Sequence, residues 1–460
     1  MDKQRIIIIG AGPAGYVAAI RAAQLGAEVV LIEKEEIGGT CLNRGCIPTK
    51  SLLNSSKILN LVRNVQEFGI EVENINFNFH QMMERKNKIV HQVIRGVHYL
   101  LDYNKVKLIK GKASFLNSQE IEVKTDKGEE KIKGKKIIIA TGSEPSLIPN
   151  IDISHPLILT SREILELKEL PETLLIVGGG VIGCEFAYIF NELGVKITIV
   201  EMMEHILPME DKRISLLIER TFHQKGIEIF TKTKLKKIKE YGEKIKAELD
   251  NGKEITIEKA LICTGRKPKT HNLHLENTGL RINPRGYILV NKKMQTNVSG
   301  IYAAGDVTGE PLLAHKSFAE GIVAAENALG TESLMDYSAI PNCIFTSPEI
   351  GSVGLTIDKA REKGIKIKVG RFSFSNNGKA QIQNETAGFV QLIAEEKNGK
   401  ILGGQIVGPE ATNLIHEIVL AIRWGLTLEN MGNTFHAHPT LSEVIIEAAR
   451  SALKKPIHSI

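Results

Sequence analysis

Cysteine is scarce in this chain, with five residues among 460. So few cysteines exclude the disulfide-stapled scaffold of a small secreted protein. Long hydrophobic runs are also missing, because no stretch approaches the roughly 20 apolar residues that a membrane-spanning helix needs. The short run Ile6–Ile9 leads straight into a glycine motif and fits a buried strand better than a signal peptide. We therefore expect a cytoplasmic protein with no membrane segment.

A strong excess of one charge is absent as well. The 59 basic and 53 acidic residues leave a formal net charge of +6. Basic runs such as residues 232–239 are typical of solvated faces, and neither a basic stripe with aromatic residues nor a recognition motif accompanies them, so we expect no nucleic-acid partner. The length of 460 residues and the hydrophobic fraction of 42% predict a globular protein with roughly two to four domains. Apolar and alternating patterns predict strands over residues 227–240, 254–262 and 389–395.

One unit of sequence is present twice. Each copy has an apolar run, a glycine turn, a helical stretch and a second apolar run that ends in an acid, which is the full dinucleotide-binding fingerprint. The glycines and the acid are Gly10, Gly12, Gly15 and Glu33 in the first copy and Gly178, Gly180, Gly183 and Glu201 in the second. Two such sites in one chain imply two different dinucleotides.

The chemistry of each position follows from the motif. The first glycine allows the tight turn, the second lets the backbone approach the pyrophosphate, and the third lets helix and strand pack closely. Glu33 and Glu201 are placed to accept hydrogen bonds from a ribose. No arginine that could hold a 2′-phosphate follows Glu201 in residues 202–205. The second site is therefore expected to prefer NAD over NADP.

Two of the five cysteines, Cys41 and Cys46, lie close together after the first unit. In a reducing compartment such a pair is more often catalytic or metal-binding than structural. Zinc would need a second pair at suitable spacing, and none exists, so no metal site is expected. Two reduced structural cysteines remain the alternative. The other three, at positions 184, 263 and 343, stand alone in apolar surroundings and read as inert buried thiols.

A histidine-rich segment lies near the C-terminus. Thiol–disulfide exchange needs a thiolate, so a dithiol substrate needs a base that works near neutral pH. His438 suits that task, and Glu443 on its other ring nitrogen would orient it. A metal pair formed by His436 and His438 is the alternative reading, although no further ligands cluster nearby.

Several segments of the sequence resemble those of a known family. The segment 38–50 is similar to the redox-active motif of the pyridine nucleotide–disulfide oxidoreductases, and residues 140–143, 263–268 and 301–306 resemble further segments of that family. The resemblance implies an α/β fold with two Rossmann-like dinucleotide-binding domains, for FAD and NAD, and a C-terminal α+β dimerisation domain. The implied domains are 1–145 (FAD-binding, with the redox-active disulfide), 146–268 (NAD-binding), 269–339 (central, completing the FAD site) and 340–460 (dimerisation).

The resemblance also implies roles for individual residues. Cys41 would be the interchange thiol that attacks the substrate, and Cys46 the charge-transfer thiol that faces the flavin. Lys50 would lie near the flavin and pair with Glu185. His438 and Glu443 would form a catalytic dyad that reaches the active site of the partner subunit in a homodimer. The implied cofactor-binding residues are Gly10, Gly12, Gly15, Glu33, Lys50, Thr141, Gly142, Ser143, Gly178, Gly180, Gly183, Glu201, Gly265, Arg266, Asp306 and Ala314.

Three segments favour one branch of this family, which oxidises protein-bound dihydrolipoyl groups to lipoyl disulfide with NAD⁺. They are residues 41–48, residues 438–443, and residues 313–316 together with 320–321. The implied partners are lipoylated carrier proteins of 2-oxoacid dehydrogenase complexes or of the glycine-cleavage system. Two alternatives stay open: an NADPH-dependent reductase of another small disulfide such as glutathione disulfide, and a non-catalytic flavin-binding scaffold.

Overall fold

The computed structural model describes residues 4–149 and 151–459. The helices are α1 (Pro13–Gln24), α2 (Gly39–Arg44), α3 (Cys46–Arg63), α4 (Phe79–Tyr103), α5 (Val181–Glu192), α6 (Lys212–Gln224), α7 (Ala314–Ala328), α8 (Ile357–Glu362), α9 (Gly378–Gln383), α10 (Ala411–Arg423), α11 (Leu428–Gly432) and α12 (Glu443–Ala452). Within the described ranges, no helix has the length and apolar character that a bilayer crossing requires.

The strands of the first half are β1 (Arg5–Ile9), β2 (Glu28–Glu33), β3 (Lys107–Lys110), β4 (Lys112–Asn117), β5 (Glu120–Thr125), β6 (Gly128–Lys133), β7 (Lys136–Ile139), β8 (Ser143–Pro145), β9 (Ile158–Leu159), β10 (Thr173–Val177), β11 (Lys196–Val200) and β12 (Glu228–Phe230). Those of the second half are β13 (Leu235–Tyr241), β14 (Lys244–Leu249), β15 (Glu254–Ile257), β16 (Lys259–Ile262), β17 (Arg266–Pro268), β18 (Ile301–Ala303), β19 (Asn342–Ile344), β20 (Glu349–Gly354), β21 (Ile367–Ser373), β22 (Phe389–Glu395) and β23 (Ile401–Gly408).

The first glycine unit lies in a parallel sheet of order β18-β7-β1-β2-β3. Both faces of this sheet are covered, so β1 is apolar throughout rather than alternating. Ile6 and Ile8 pack with α1 and α7 on one face. Ile7 and Ile9 pack on the other face against the antiparallel sheet β4-β5-β6. Because β18 pairs with β7, the chain returns to the first sheet after the second unit has ended.

The second glycine unit repeats this architecture. Its parallel sheet has the order β12-β11-β10-β16-β9. Leu174 and Ile176 of β10 pack with α5, whereas Leu175 and Val177 pack against the antiparallel sheet β13-β14-β15. The two units therefore share strand order around the glycine turn, helix placement and an antiparallel cover.

The C-terminal part is a different layer arrangement. An antiparallel sheet of order β19-β20-β23-β22-β21 is covered by α10 and α12, which bury residues such as Ile415 and Val444 against it. Two parallel α/β units and an α+β unit match the predicted fold class.

Two strand predictions were too long. A single strand over residues 227–240 is wrong, because the chain forms β12 in the parallel sheet and then β13 in the antiparallel cover. Lys232, with φ of 50°, lies at the turn between them. The predicted strand over 254–262 divides in the same way at Glu258, into β15 and β16. In both places an apolar or alternating pattern continues while the chain changes layer, so periodicity alone cannot show the break.

Candidate active site

A continuous cleft of about 2630 Å³ lies between the glycine turns of the two parallel sheets and reaches the C-terminal unit. Both cysteines line it. So do fourteen of the sixteen predicted cofactor residues, which are Gly10, Gly12, Glu33, Lys50, Thr141, Gly142, Ser143, Gly178, Gly180, Glu201, Gly265, Arg266, Asp306 and Ala314. The remaining two, Gly15 and Gly183, lie beneath the turns. A Cβ placed there would be 1.7 Å from the carbonyl oxygen of Gly10 and 2.0 Å from that of Gly178.

The two glycine turns have matching backbone geometry. Gly10 and Gly178 have φ of 99° and 108°, a region that favours glycine. Gly12 and Gly180 are the N-caps of α1 and α5 in extended conformation. A Cβ at Gly180 would meet no atom within 4 Å, and one at Gly12 would meet its nearest at 3.9 Å. Each turn therefore leaves open space at a helix N-terminus, where backbone N–H groups and the helix dipole bind a pyrophosphate.

The acids at the ends of the second strands also match. The Glu33 carboxylate accepts hydrogen bonds from the backbone N–H groups of Ala11 (2.6 Å) and Glu35 (2.8 Å). The Glu201 carboxylate accepts them from Gly179 (2.6 Å) and Met203 (2.8 Å). These bonds fix each carboxylate in the cleft beside its glycine turn. Carboxylates so placed suit the hydroxyl groups of a ribose.

The cysteine pair lies at the junction of α2 and α3. Cys41 is in α2, and Cys46 begins α3. A hydrogen bond from the Cys41 thiol, together with the positive charge of Lys50, lowers the pKa of Cys46 to about 7 although burial opposes it. The same hydrogen bond and burial raise the pKa of Cys41. The two sulfurs are thus unequal: the pKa of Cys46 is lowered and that of Cys41 is raised, so Cys46 is the more readily deprotonated of the two.

Lys50 and Glu185 are brought together by the packing of α3 on α5. The Lys50 Nζ donates to both carboxylate oxygens of Glu185, at 2.8 and 2.9 Å. Phe345 joins the pair from the C-terminal unit. Its backbone N–H donates to Glu185 at 3.1 Å, and its ring centre lies 4.7 Å from the Lys50 Nζ. Sequence reasoning missed Phe345, because a contact across 160 residues leaves no periodic signal.

A second chain of contacts links the two halves of the cleft through Ser143. The Ser143 hydroxyl donates to the Asp306 carboxylate at 2.5 Å. The Arg266 guanidinium donates to the Ser143 hydroxyl and to its carbonyl oxygen, both at 2.8 Å. Thr141 donates to the carbonyl oxygen of Lys269 at 2.7 Å. The segment that ends the second unit is thereby tied to the segments expected to contact the flavin.

The histidine dyad forms, but it lies away from the cysteines of its own chain. His438 Nδ1 is 2.9 Å from the Glu443 carboxylate, which also accepts the Thr440 N–H at 2.8 Å. Burial alone would raise the pKa of Glu443, but the hydrogen bonds from Thr440 and His438 lower it. The His438 side chain is 79% exposed and does not line the cleft described above. The His436 side chain, in contrast, is only 6% exposed and forms a hydrogen bond with Glu417 at 2.9 Å.

Comparison with known proteins defines the family. The family model "Pyridine nucleotide-disulphide oxidoreductase" matches residues 4–321 of this chain, and the model of that family's dimerisation domain matches residues 340–449. The chain belongs to this family. Membership makes it an oxidoreductase, implies FAD and a pyridine nucleotide, NAD or NADP, and assigns a dimerisation domain to its C-terminal part. The open helix N-termini, the two strand-end carboxylates and the Ser143–Asp306 contact are a donor and acceptor set that fits two dinucleotides.

Individual relatives are similar along their whole length. The chain is 42% identical over 452 residues to "Dihydrolipoyl dehydrogenase" of Chlamydia pneumoniae, covering 98% of this chain and 97% of the relative. It is 40% identical over 459 residues to "Dihydrolipoyl dehydrogenase" of Bacillus subtilis, covering 99% and 100%. The crystal structure of LpdA from Mycobacterium tuberculosis superposes with a TM-score of 0.91 at 29% identity, covering 97% and 99%.

Proposed function

We propose that this chain oxidises protein-bound dihydrolipoyl groups to lipoyl disulfide and passes the electrons to NAD⁺ through the Cys41–Cys46 pair and FAD. The observation that carries this proposal is the unequal cysteine pair in one cleft with both glycine turns. A dithiol can enter exchange at one sulfur, while the other is held as a thiolate beside a cofactor site. The full-length similarity to proteins named dihydrolipoyl dehydrogenase supports the choice of substrate.

The substrate half-reaction uses the thiols and the histidine. His438 takes the proton of one substrate thiol, and the resulting thiolate attacks Cys41 of the Cys41–Cys46 disulfide. This step forms a mixed disulfide between the substrate and Cys41 and releases Cys46 as a thiolate, which the positive charge of Lys50 stabilises. His438 passes the first proton to solvent and takes the proton of the second substrate thiol, and the resulting thiolate attacks the substrate sulfur of the mixed disulfide. Cys41 leaves and takes a proton from His438, so the substrate is oxidised by two electrons and the pair is reduced.

In the cofactor half-reaction, the first glycine turn holds FAD and the second holds NAD⁺. When bound, FAD supplies the two-electron transfer from the reduced pair to NAD⁺. The Glu201 carboxylate would repel a 2′-phosphate, which favours NAD. Lys212 and Lys232, which lie in the same region, are 3.9 and 3.6 Å from the Glu204 carboxylate. Both are therefore already paired with an acid rather than free to bind a 2′-phosphate.

We further propose a homodimer in which His438 of one subunit serves Cys41 of the other. The exposed dyad and the dimerisation domain support this arrangement. A lipoyl group on a flexible arm of a 2-oxoacid dehydrogenase or glycine-cleavage carrier protein would enter between the subunits.

A matched panel of substrates tests the proposal. The holoenzyme is assayed with dihydrolipoamide and NAD⁺, with dihydrolipoamide and NADP⁺, and with glutathione disulfide and NADPH. We expect turnover with the first pair to exceed the other two by at least about tenfold. Equal or faster turnover with NADPH and glutathione disulfide would assign the chain to the alternative reductase, and no turnover in any arm would support the non-catalytic scaffold.

A further inference from the structure

A buried ionic cluster lies next to the cleft and takes no part in the thiol chemistry. Lys316 and Glu320 occupy successive turns of α7, with 3% and 1% of their surface exposed. The Lys316 Nζ is 3.3 Å from the Glu320 carboxylate. The Tyr337 hydroxyl donates to the same carboxylate at 2.8 Å. Burying a charged pair is costly unless its remaining hydrogen-bonding groups are satisfied, so such a cluster calls for a specific role.

The other contacts of Glu320 and Lys316 lead to one turn, residues 305–309. The backbone N–H of Gly305 donates to Glu320 at 2.8 Å, and the Thr308 hydroxyl lies at 3.4 Å. At the far end of the turn, Lys316 donates to the carbonyl oxygen of Gly309 at 2.7 Å. Asp306 lies between these anchored points and lines the cleft. Glu320 and Lys316 thus hold both ends of the turn that presents Asp306.

The cluster also fixes the start of α7. Lys316 belongs to the first turn of that helix, whose N-terminal residue Ala314 lines the cleft. Tyr337 lines the cleft as well and precedes the C-terminal unit. Three separate segments that face the same space are therefore held in one arrangement by a single carboxylate.

We propose that Glu320, supported by Lys316 and Tyr337, is a positioning residue for FAD that sets the place of Asp306 relative to the N-terminus of α7. The proposal rests on the FAD site that family membership implies and is independent of the dihydrolipoyl substrate. Glu320 acts through the turn and does not itself line the cleft.

The test compares two buried glutamates that are each paired with a lysine. Glu320→Gln removes the carboxylate from the cluster. The control, Glu192→Gln, alters a buried glutamate in the second unit, which lies 2.5 Å from the partly exposed Lys225 and does not line the cleft. For both holoenzymes, the dissociation rate of FAD is measured by ultrafiltration after dilution, the bound flavin by visible circular dichroism, and unfolding by far-ultraviolet circular dichroism.

We expect Glu320→Gln to raise the FAD dissociation rate by about tenfold, the effect of losing hydrogen bonds to a charged group, and to change the circular dichroism of the flavin. Glu192→Gln should lower the unfolding temperature and leave both flavin measurements at wild-type values. Unchanged flavin measurements in Glu320→Gln, or equal changes in both variants, would overturn the proposal.

If Glu320→Gln does not fold, Tyr337→Phe decides. A rise of about threefold in the dissociation rate supports the proposal, and an unchanged rate overturns it. Dihydrolipoamide turnover is not a readout of this test, so a failure of this proposal and a failure of the proposed function are distinguishable.

Discussion

At the scale of single residues, the cysteine pair is made unequal by its neighbours. Cys46 begins a helix, accepts the Cys41 hydrogen bond and lies near Lys50, and these effects outweigh its burial. The spacing of the pair could be read from the sequence, and the family resemblance implied different roles for the two sulfurs, but the physical cause of the inequality could not be read from local patterns. The inequality depends on the position of Lys50. Glu185, 135 residues away in sequence, accepts the hydrogen bonds of Lys50, and Phe345 donates to Glu185 across a further 160 residues.

The first prediction separates the two sulfurs. In Cys41→Ser the Cys46 thiolate survives beside the flavin, so the holoenzyme should show a long-wavelength charge-transfer absorbance. Cys46→Ser removes the thiolate and should abolish that absorbance. Visible spectra of the two variants at pH 8 make the comparison. Identical spectra would contradict the assignment of Cys41 to the substrate and Cys46 to the flavin.

The second prediction concerns pH. Because the pKa of Cys46 is lowered to about 7, the charge-transfer absorbance of the two-electron-reduced enzyme should be present above pH 7 and fade as the thiolate is protonated below it. Lys50→Met removes a positive charge and leaves Glu185, whose negative charge raises the pKa of Cys46. The midpoint should therefore rise by about one pH unit. Spectrophotometric titration measures it.

A matched control for this titration is Lys57→Met, on the same helix. Lys57 lies 3.6 Å from Glu349 and is 44% exposed, so its loss should leave the midpoint unchanged. A midpoint that does not move in Lys50→Met, or that moves equally in both variants, would show that Lys50 does not stabilise the thiolate.

At the scale of elements, the repeated dinucleotide-binding unit could be predicted from the sequence. The two apolar runs, the glycine turn, the helical stretch and the final acid of each copy lie within about 30 residues. The strand β22, over Phe389–Glu395, was likewise predicted with its observed bounds. The joined strands 227–240 and 254–262 were wrong, because the local pattern continues while the chain passes from one sheet to another. The return of β18 to the first sheet depends on pairing across more than 160 residues, which local patterns do not encode.

The third prediction uses the equivalence of the two turns. A Cβ at Gly180 would extend into open space, so Gly180→Ala should fold and place a methyl group where the pyrophosphate of NAD approaches. We expect NAD⁺ affinity to fall roughly tenfold, a loss of about 1.4 kcal/mol, with FAD content unchanged. Gly12→Ala should lower the FAD content and leave the affinity for NAD⁺ unchanged. Flavin absorbance per subunit and the KM for NAD⁺ measure both. If the two variants weaken the same dinucleotide, the turns do not serve different cofactors.

At the scale of the whole molecule, one chain brings both cysteines and both glycine turns to one cleft but leaves His438, the proposed base, outside it. The His438–Glu443 pair forms at 2.9 Å within a single chain, so residue type and spacing were enough to predict the dyad. Its location was not predictable from these, since His438 is exposed and the cysteines line the cleft. A dimer with two-fold symmetry could place each dyad at the other subunit's cleft, giving two equivalent sites.

The fourth prediction tests this sharing by subunit exchange. Homodimers of Cys41→Ser and of His438→Gln should each be nearly inactive. After dissociation and random reassociation, half of the dimers are mixed, and each mixed dimer has one site with both Cys41 and His438 if the residues come from different subunits. Activity should therefore recover to about a quarter of the wild-type value. No recovery, in a mixture shown to contain mixed dimers, would place both residues of each site in one chain.

The central claim is that electrons pass from a dithiol through Cys41 and Cys46 to NAD⁺. The most direct measurement is a single turnover without oxygen. Oxidised holoenzyme is reduced with dihydrolipoamide, freed of excess reagent by gel filtration and then mixed with NAD⁺. Since a disulfide takes up two electrons, we expect about one NADH per subunit from the wild-type enzyme and essentially none from Cys41→Ser. Equal NADH from both proteins, or none from the wild-type holoenzyme, would contradict the account.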